Sequence, residues 1–98
     1  MNLIYHPEAE AELINAAKFY EQRVSGLGAE YLDVIDKAIR KIQTDPERWN
    51  IKQSQVRNYI LDRFPYSIYY RVFSDHIRIL AIKHHSRHPD YWRYRLEN

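Results

Sequence analysis

Two apolar periods run along the chain and divide it near its middle. In residues 8–23 the apolar positions Ala9, Leu13, Ala16 and Tyr20 recur every three or four residues, which places them on one stripe of a helix. His6-Pro7-Glu8 reads as the start of that helix. Proline is preorganised for the first helical position, where its missing N–H costs nothing. Glu8, Glu10 and Glu12 fall where the helix dipole favours negative charge, and they are read as a solvated, capped helix start. Ser25-Gly26-Leu27-Gly28 holds the only two glycines and ends the helix in a turn. A second helical stripe follows at Tyr31, Ile35, Ala38 and Ile42, widened by Leu32, Val34 and Ile39, and stops at Thr44-Asp45-Pro46. The short connection predicts an antiparallel helix hairpin.

After Val56 the period becomes two. Arg57-Asn58-Tyr59-Ile60-Leu61 reads as a strand, broken at Asp62-Arg63-Phe64-Pro65. Residues 66–73 form a second strand, rich in aromatic and β-branched residues, with Ile68, Tyr70 and Val72 on one face. Ser74-Asp75-His76 is a tight turn, and residues 77–83 are the next strand. Leu3-Ile4-Tyr5 adds a short strand at the start. Residues 84–92 are polar and aromatic with no clear period. The expected fold is α+β in the order β-α-α-β-β-β, one domain over residues 1–98, with the helix hairpin on one face of a small, mainly antiparallel sheet. The other face is expected to be at least partly open, because the chain has nothing left to cover it, and a partner would bind there.

Composition narrows the function classes. Of the 98 residues, 45% are hydrophobic and 29% are charged, with the signs too mixed for disorder. Cysteine is absent, which removes disulfides, thiolate nucleophiles and cysteine metal sites and agrees with a reducing, cytoplasmic setting. No apolar run approaches membrane-spanning length, and the opening residues lack the basic start of a signal peptide. The net charge of +2 hides an asymmetry: residues 1–49 hold six Lys/Arg against nine Asp/Glu, and residues 50–98 hold nine against four. Four of the five histidines are also in the second half. That half carries a field suited to a phosphate backbone or an acidic protein, unless it is ordinary solvated surface.

Three stretches then carry a resemblance: His6-Pro7-Glu8-Ala9-Glu10-Ala11-Glu12-Leu13; Asp45-Pro46-Glu47-Arg48-Trp49; and Arg63-Phe64-Pro65-Tyr66-Ser67-Ile68-Tyr69-Tyr70-Arg71-Val72 followed by Ile77-Arg78-Ile79-Leu80-Ala81-Ile82. Their order and spacing resemble the RelE/ParE toxin superfamily, in its plasmid-stabilisation branch, over essentially the whole chain. The resemblance implies the toxin of a type II toxin–antitoxin system. Such a toxin inhibits growth and is neutralised by a cognate antitoxin, with which it forms a hetero-oligomer. Some members of the superfamily cleave messenger RNA on the ribosome; the ParE type poisons DNA gyrase.

Metal-free RNA cleavage needs a base, an acid and a cation at the phosphorane. His84, His85, Arg87 and Tyr91 are candidates, with Lys83 and Arg57 nearby in the expected sheet. The resemblance divides here. Its nucleases place an arginine three residues before the tyrosine that matches Tyr70, and this chain has Ser67. His85 falls near the histidine of one nuclease branch, and Arg87 and Tyr91 near residues of another, so neither pattern is complete. The bland reading of His84 and His85 is the polar end of a strand, packed on Tyr91 or Trp92. Neighbouring strand residues point to opposite faces, so the pair does not share a metal ion; no metal or cofactor is expected.

The binding candidates, for target or antitoxin, are Arg57, Tyr69, Arg71, Arg78, His84 and Trp92. Arg71 shares the strand parity of Ser67, and Tyr69 is expected on the open face, available for stacking; Tyr70 is core. Arg57, Arg63, Arg71, Arg78 and Arg87 form the functional bet; the bland reading of one or two of them, such as Arg63 in the turn, is a pairing with Asp62 or Asp75, a surface contact worth ~0–1 kcal/mol. The favoured function is a ParE-like toxin that acts by binding. The alternatives are a ribosome-dependent endoribonuclease using His85, Arg87 and Tyr91, and a degenerate toxin that only binds its antitoxin.

Overall fold

The computed structural model describes residues 2–97. Strand β1 (Asn2–Tyr5) leads into helices α1 (Pro7–Arg23) and α2 (Leu27–Thr44). Strands β2 (Ile51–Gln53), β3 (Val56–Ile60), β4 (Tyr66–Val72) and β5 (His76–His84) follow, and a short 3-10 helix, Arg93–Glu97, ends the described chain. The sheet order is β1-β5-β4-β3-β2, antiparallel except for the parallel β1–β5 pair. The β-α-α-β-β-β order predicted from periodicity is therefore present with one addition, the edge strand β2.

The helix starts form as the sequence dictates. Pro7 occupies the first turn of α1, and the His6 Nδ1 accepts from the Glu8 N–H at 3.1 Å. The two glycines do different work in the hairpin. Gly26 stands at φ 88°, a left-handed angle. Gly28 lets the helices touch: a Cβ there would lie 2.5 Å from the Ala17 carbonyl oxygen. The Glu21 carboxylate reaches across from α1 and accepts from both Gly26 and Gly28 N–H at 2.9 Å.

The hairpin covers one sheet face. Ala9, Ala16, Tyr31, Ile35, Ala38, Ile39 and Ile42 pack on Tyr59, Ile68, Tyr70, Ile77, Ile79 and Ile82. Phe64, between β3 and β4, takes φ 75° and places its ring 4.9 Å from Tyr20 and 5.3 Å from Tyr31. Burial of that ring offsets the left-handed angle. Arg63 pairs with Glu30 at 3.3 Å, neither of the partners expected for it.

The second face departs from expectation in part. It is covered over part of its extent: residues 85–97 fold back over it, and Val56, Tyr69, Leu80, Ala81 and Trp92 form a second small core, while the end at Arg71 and Arg78 stays partly exposed. A register shift opposite Tyr69 and Tyr70 makes this possible. It turns both Leu80 and Ala81 toward the second face, while Ile79 and Ile82 on either side face the helices.

Candidate functional site

The site is built by the returning C-terminal segment. The His85 N–H bonds the Pro65 carbonyl at 2.9 Å as the chain leaves β5. Further on, the Gln53 amide donates to Asp90 at 3.0 Å, which ties the segment to β2. Trp92 is fully buried, its ring 5.2 Å from Tyr69 and its indole N–H donating to the Pro89 carbonyl at 2.8 Å. Tyr69 is 8% exposed beneath it. Both were expected to present aromatic surface to a partner; burying these two rings against each other closes that surface instead.

The 3-10 helix then carries Arg95 back to the edge of the sheet. β1 pairs with β5 only as far as Ile79, so beyond that point one edge of β5 lacks a strand neighbour. Two side chains fill the gap. The Ile82 N–H donates to Glu12 Oε1 at 3.0 Å, and Arg95 donates to the Leu80 carbonyl at 2.9 Å. Glu12 and Arg95 pair with each other at 3.0 and 2.8 Å. The ion pair supplies the acceptor and the donor that a neighbouring strand would have offered.

Two more groups converge on Glu12. The Tyr91 hydroxyl donates to Oε2 at 2.7 Å and Arg87 donates at 3.1 Å, with its guanidinium 3.7 Å above the Tyr91 ring. One carboxylate thus accepts five hydrogen bonds and joins α1, β5 and the C-terminal segment. Burial, then the bond to Glu12, pushes the Tyr91 phenol well above its ordinary range, so it stays protonated and serves as a donor. Burial works against charge on Arg95, but the bonds to Glu12 and Tyr94 outweigh it and hold the guanidinium cationic. Glu8 is drawn in as well, accepting from Tyr94. The acidic start of α1 is therefore more than the solvated cap expected for it: Glu12 is only 14% exposed.

Clefts flank this hub. One, of about 320 Å³, is lined by Glu8, Glu12, Asn15, Arg87, Tyr94 and Arg95 among others. The other, of about 330 Å³, lies between Asn15, Phe19, Tyr66, Ile82, His84 and Arg87. Exposed Phe19 of α1 lines the second, with Arg23 4.6 Å over its ring.

The remaining candidates scatter. His85 is exposed, its Nε2 3.1 Å from the Ser67 hydroxyl, away from the Glu12 hub to which Arg87 and Tyr91 are bonded. His84 packs edge-on against Tyr66 at 5.0 Å, not on Tyr91 or Trp92, and its Nδ1 faces Ser86. Arg57 donates to the Glu47 and Trp49 carbonyls at 3.0 and 2.8 Å; with the Tyr70 hydroxyl on the Pro46 carbonyl it pins the loop after α2. Arg71 and Arg78 stand opposite each other on the second face.

Glu12 and Arg95 were missed by sequence reasoning. The signal present was the recurrence Arg87, Tyr91, Arg95 at every fourth position.

The model of the ParE toxin of type II toxin–antitoxin systems, parDE, matches residues 3–89. The chain belongs to the ParE toxin family. It thereby lies within the RelE/ParE superfamily that its motifs resemble. A solved structure described as the chromosomal ParDE toxin–antitoxin system from P. aeruginosa superposes with a TM-score of 0.73 at 24% identity, covering 86% of this chain and 95% of that one. At that identity the likeness speaks for the shared α+β fold. No curated protein matches the sequence. The family match ends at residue 89, so Tyr91, Trp92 and Arg95, which complete the hub and the second core, lie beyond it. Among the described residues no helix is long and apolar enough to cross a membrane.

Proposed function

We infer that the chain is the growth-inhibiting half of a cytoplasmic toxin–antitoxin pair and that it acts on DNA gyrase by binding. The observation that carries this reading is the Glu12 hub. Arg87 and Tyr91, the cation and phenol a nuclease would need, are both bonded to one carboxylate inside the molecule. Ser67 further stands where the superfamily's nucleases place an arginine. The partner is an acidic antitoxin, and the cleft beside Phe19 and Arg87 suits an apolar side chain flanked by carboxylates.

A second reading, the ribosome-dependent endoribonuclease, is favoured by one contact. His85 Nε2 meets the Ser67 hydroxyl at 3.1 Å, and buried Lys83 is the cross-strand partner of Ser67. An imidazole, a hydroxyl and an ammonium then lie at one end of the second face. The deciding experiment is expression without antitoxin, with DNA breaks and RNA 5′ ends mapped in parallel. The gyrase reading expects DNA breaks and no new RNA ends. Cuts in translated messages that vanish in His85→Ala would replace it with the nuclease. Unaltered growth would leave a degenerate toxin that retains only its antitoxin.

A further inference from the structure

Strands β3, β4 and β5 carry Arg57, Arg71, Arg78 and Lys83 and not one Asp or Glu. Arg71 and Arg78 are direct cross-strand partners in the antiparallel β4–β5 ladder. Their neighbours in the ladder, Tyr70, Val72, Ile77 and Ile79, belong to the helix-side core, so both arginines stand on the opposite face. Val56 continues the row beyond Arg71 and half-exposed Ile4 beyond Arg78. Cross-strand partners have Cβ atoms only about 4.5–5.5 Å apart, and like charges placed there destabilise the pair. Among the described residues neither arginine has an ion-pair partner, whereas Arg40, Arg63, Arg87 and Arg95 all do. The fold holds two guanidiniums side by side and supplies no internal anion to offset them.

The surroundings extend the charge. An open cleft of about 380 Å³ beside Arg71 is lined by Glu47, Gln55, Arg57, Arg71, Val72 and Phe73. Its one acid, Glu47, already lies 3.9 Å from Arg57. The Arg71 guanidinium rests 5.2 Å over the Phe73 ring, whose plane also stacks on His76 at 4.6 Å. Arg71 is thereby held in place, and the aromatic pair is spent on that support.

We propose that Arg71 and Arg78 form a seat for the phosphodiester backbone of a nucleic acid, with the Arg57 cleft as its continuation. The property stands apart from the gyrase reading and does not rest on it. A phosphodiester chain presents charge at short, regular intervals, and paired rigid guanidiniums suit it. An acidic peptide fits less well: the cleft beside Arg71 is lined mainly by polar and charged side chains, and its Phe73 ring is already covered by Arg71 and His76, so an anchoring apolar side chain finds little to pack on. Backbone phosphates need no such anchor, and contact with them carries no sequence preference.

The test is fluorescence anisotropy of the full chain with a labelled single-stranded oligonucleotide and with a duplex of the same sequence, over a series of salt concentrations. The unmodified chain is expected to bind both. The double variant Arg71→Gln with Arg78→Gln is expected to lose about tenfold in affinity and to flatten the log–log salt slope by roughly 0.7–0.9 per contact removed. The double lysine variant, which keeps the charge and loses the planar fork, should fall between the two. The control is Lys37→Gln with Arg40→Gln, which removes the same charge from the exposed side of α2. Equal weakening in this control would reduce the effect to net charge and overturn the seat. So would a chain that binds poly-glutamate through Arg71 and Arg78 but neither oligonucleotide. Thermal unfolding of each variant shows that it is folded; relief of the like-charge pair predicts a midpoint no lower than that of the parent.

Discussion

Glu12 lies beyond the first turn of α1, past the reach of the helix dipole, so its charge must be compensated by contact. Four residues donate five hydrogen bonds to it, and one of them, Arg95, is 3% exposed. Removing the carboxylate strands that guanidinium in the interior, which is the costly way to break a buried pair, about 3–5 kcal/mol. Glu12→Ala is accordingly expected to lose several kcal/mol in urea unfolding, and Glu12→Gln less, because an amide oxygen still accepts from Ile82 and Arg95. An alanine variant within about 0.5 kcal/mol of the parent, as for an ordinary surface site, would show that the hub does not hold the C-terminal segment. The sequence could not announce this role. A glutamate in a helix start is unremarkable by itself, and its partners lie 70 to 83 positions away. Arg57 was visible as a cation for the same reason that its real work was hidden: two loop carbonyls consume it.

At the scale of elements, the two helices, β1 and β3 to β5 were legible because each carries a clean period and ordinary turn chemistry. β2 was not. It has three residues, and the turn joining it to β3 puts Ser54 at φ 52° and Gln55 at φ 62°, the angles of a turn normally announced by Asn-Gly or Asp-Gly. Neither residue advertises the left-handed region. Gln55→Gly should relieve that strain and raise stability by about 0.5–1 kcal/mol, read as a higher urea midpoint with unchanged slope. A lower midpoint would mean that the Gln55 side chain contributes more than its backbone costs. The opposite holds in the helix hairpin. Gly28→Ala forces a methyl against a backbone carbonyl that has no freedom to move, and a loss of about 1–3 kcal/mol is expected in the same assay.

The molecule as a whole is a sheet covered by unequal means, a helix hairpin on one face and, over part of the other, a strap of irregular chain. The strap left no amphipathic signal because one buried tryptophan and one salt-bridged arginine fix it, not a repeating stripe; hence no cover for the second face was expected. Arg95 of that strap also acts on His6, a group that titrates in the acid range. His6 is 4% exposed at the β1–α1 junction. Burial first, then Arg78 from β5 and Arg95 from the strap, hold its imidazole below the ordinary value of 6.5; Glu8 and Glu12 of α1 oppose that shift without reversing it. The cap itself needs the neutral ring, since Nδ1 accepts from the Glu8 N–H. A histidine with a depressed folded value binds its proton more readily in the unfolded chain. Its stabilising contribution is therefore complete above 6.5 and is lost as the pH falls from there through the folded value. At the alkaline end the sign reverses. Burial pushes the Tyr70 phenol up to about 12, so its contribution is present below 10 and fades as the pH climbs between the two. Urea midpoints between about pH 5 and about pH 8 should accordingly fall toward acid. His6→Asn keeps a side chain that accepts from the helix amide but cannot titrate in this window, so it should flatten the slope. An undiminished slope in that variant would move the acid sensitivity away from the junction.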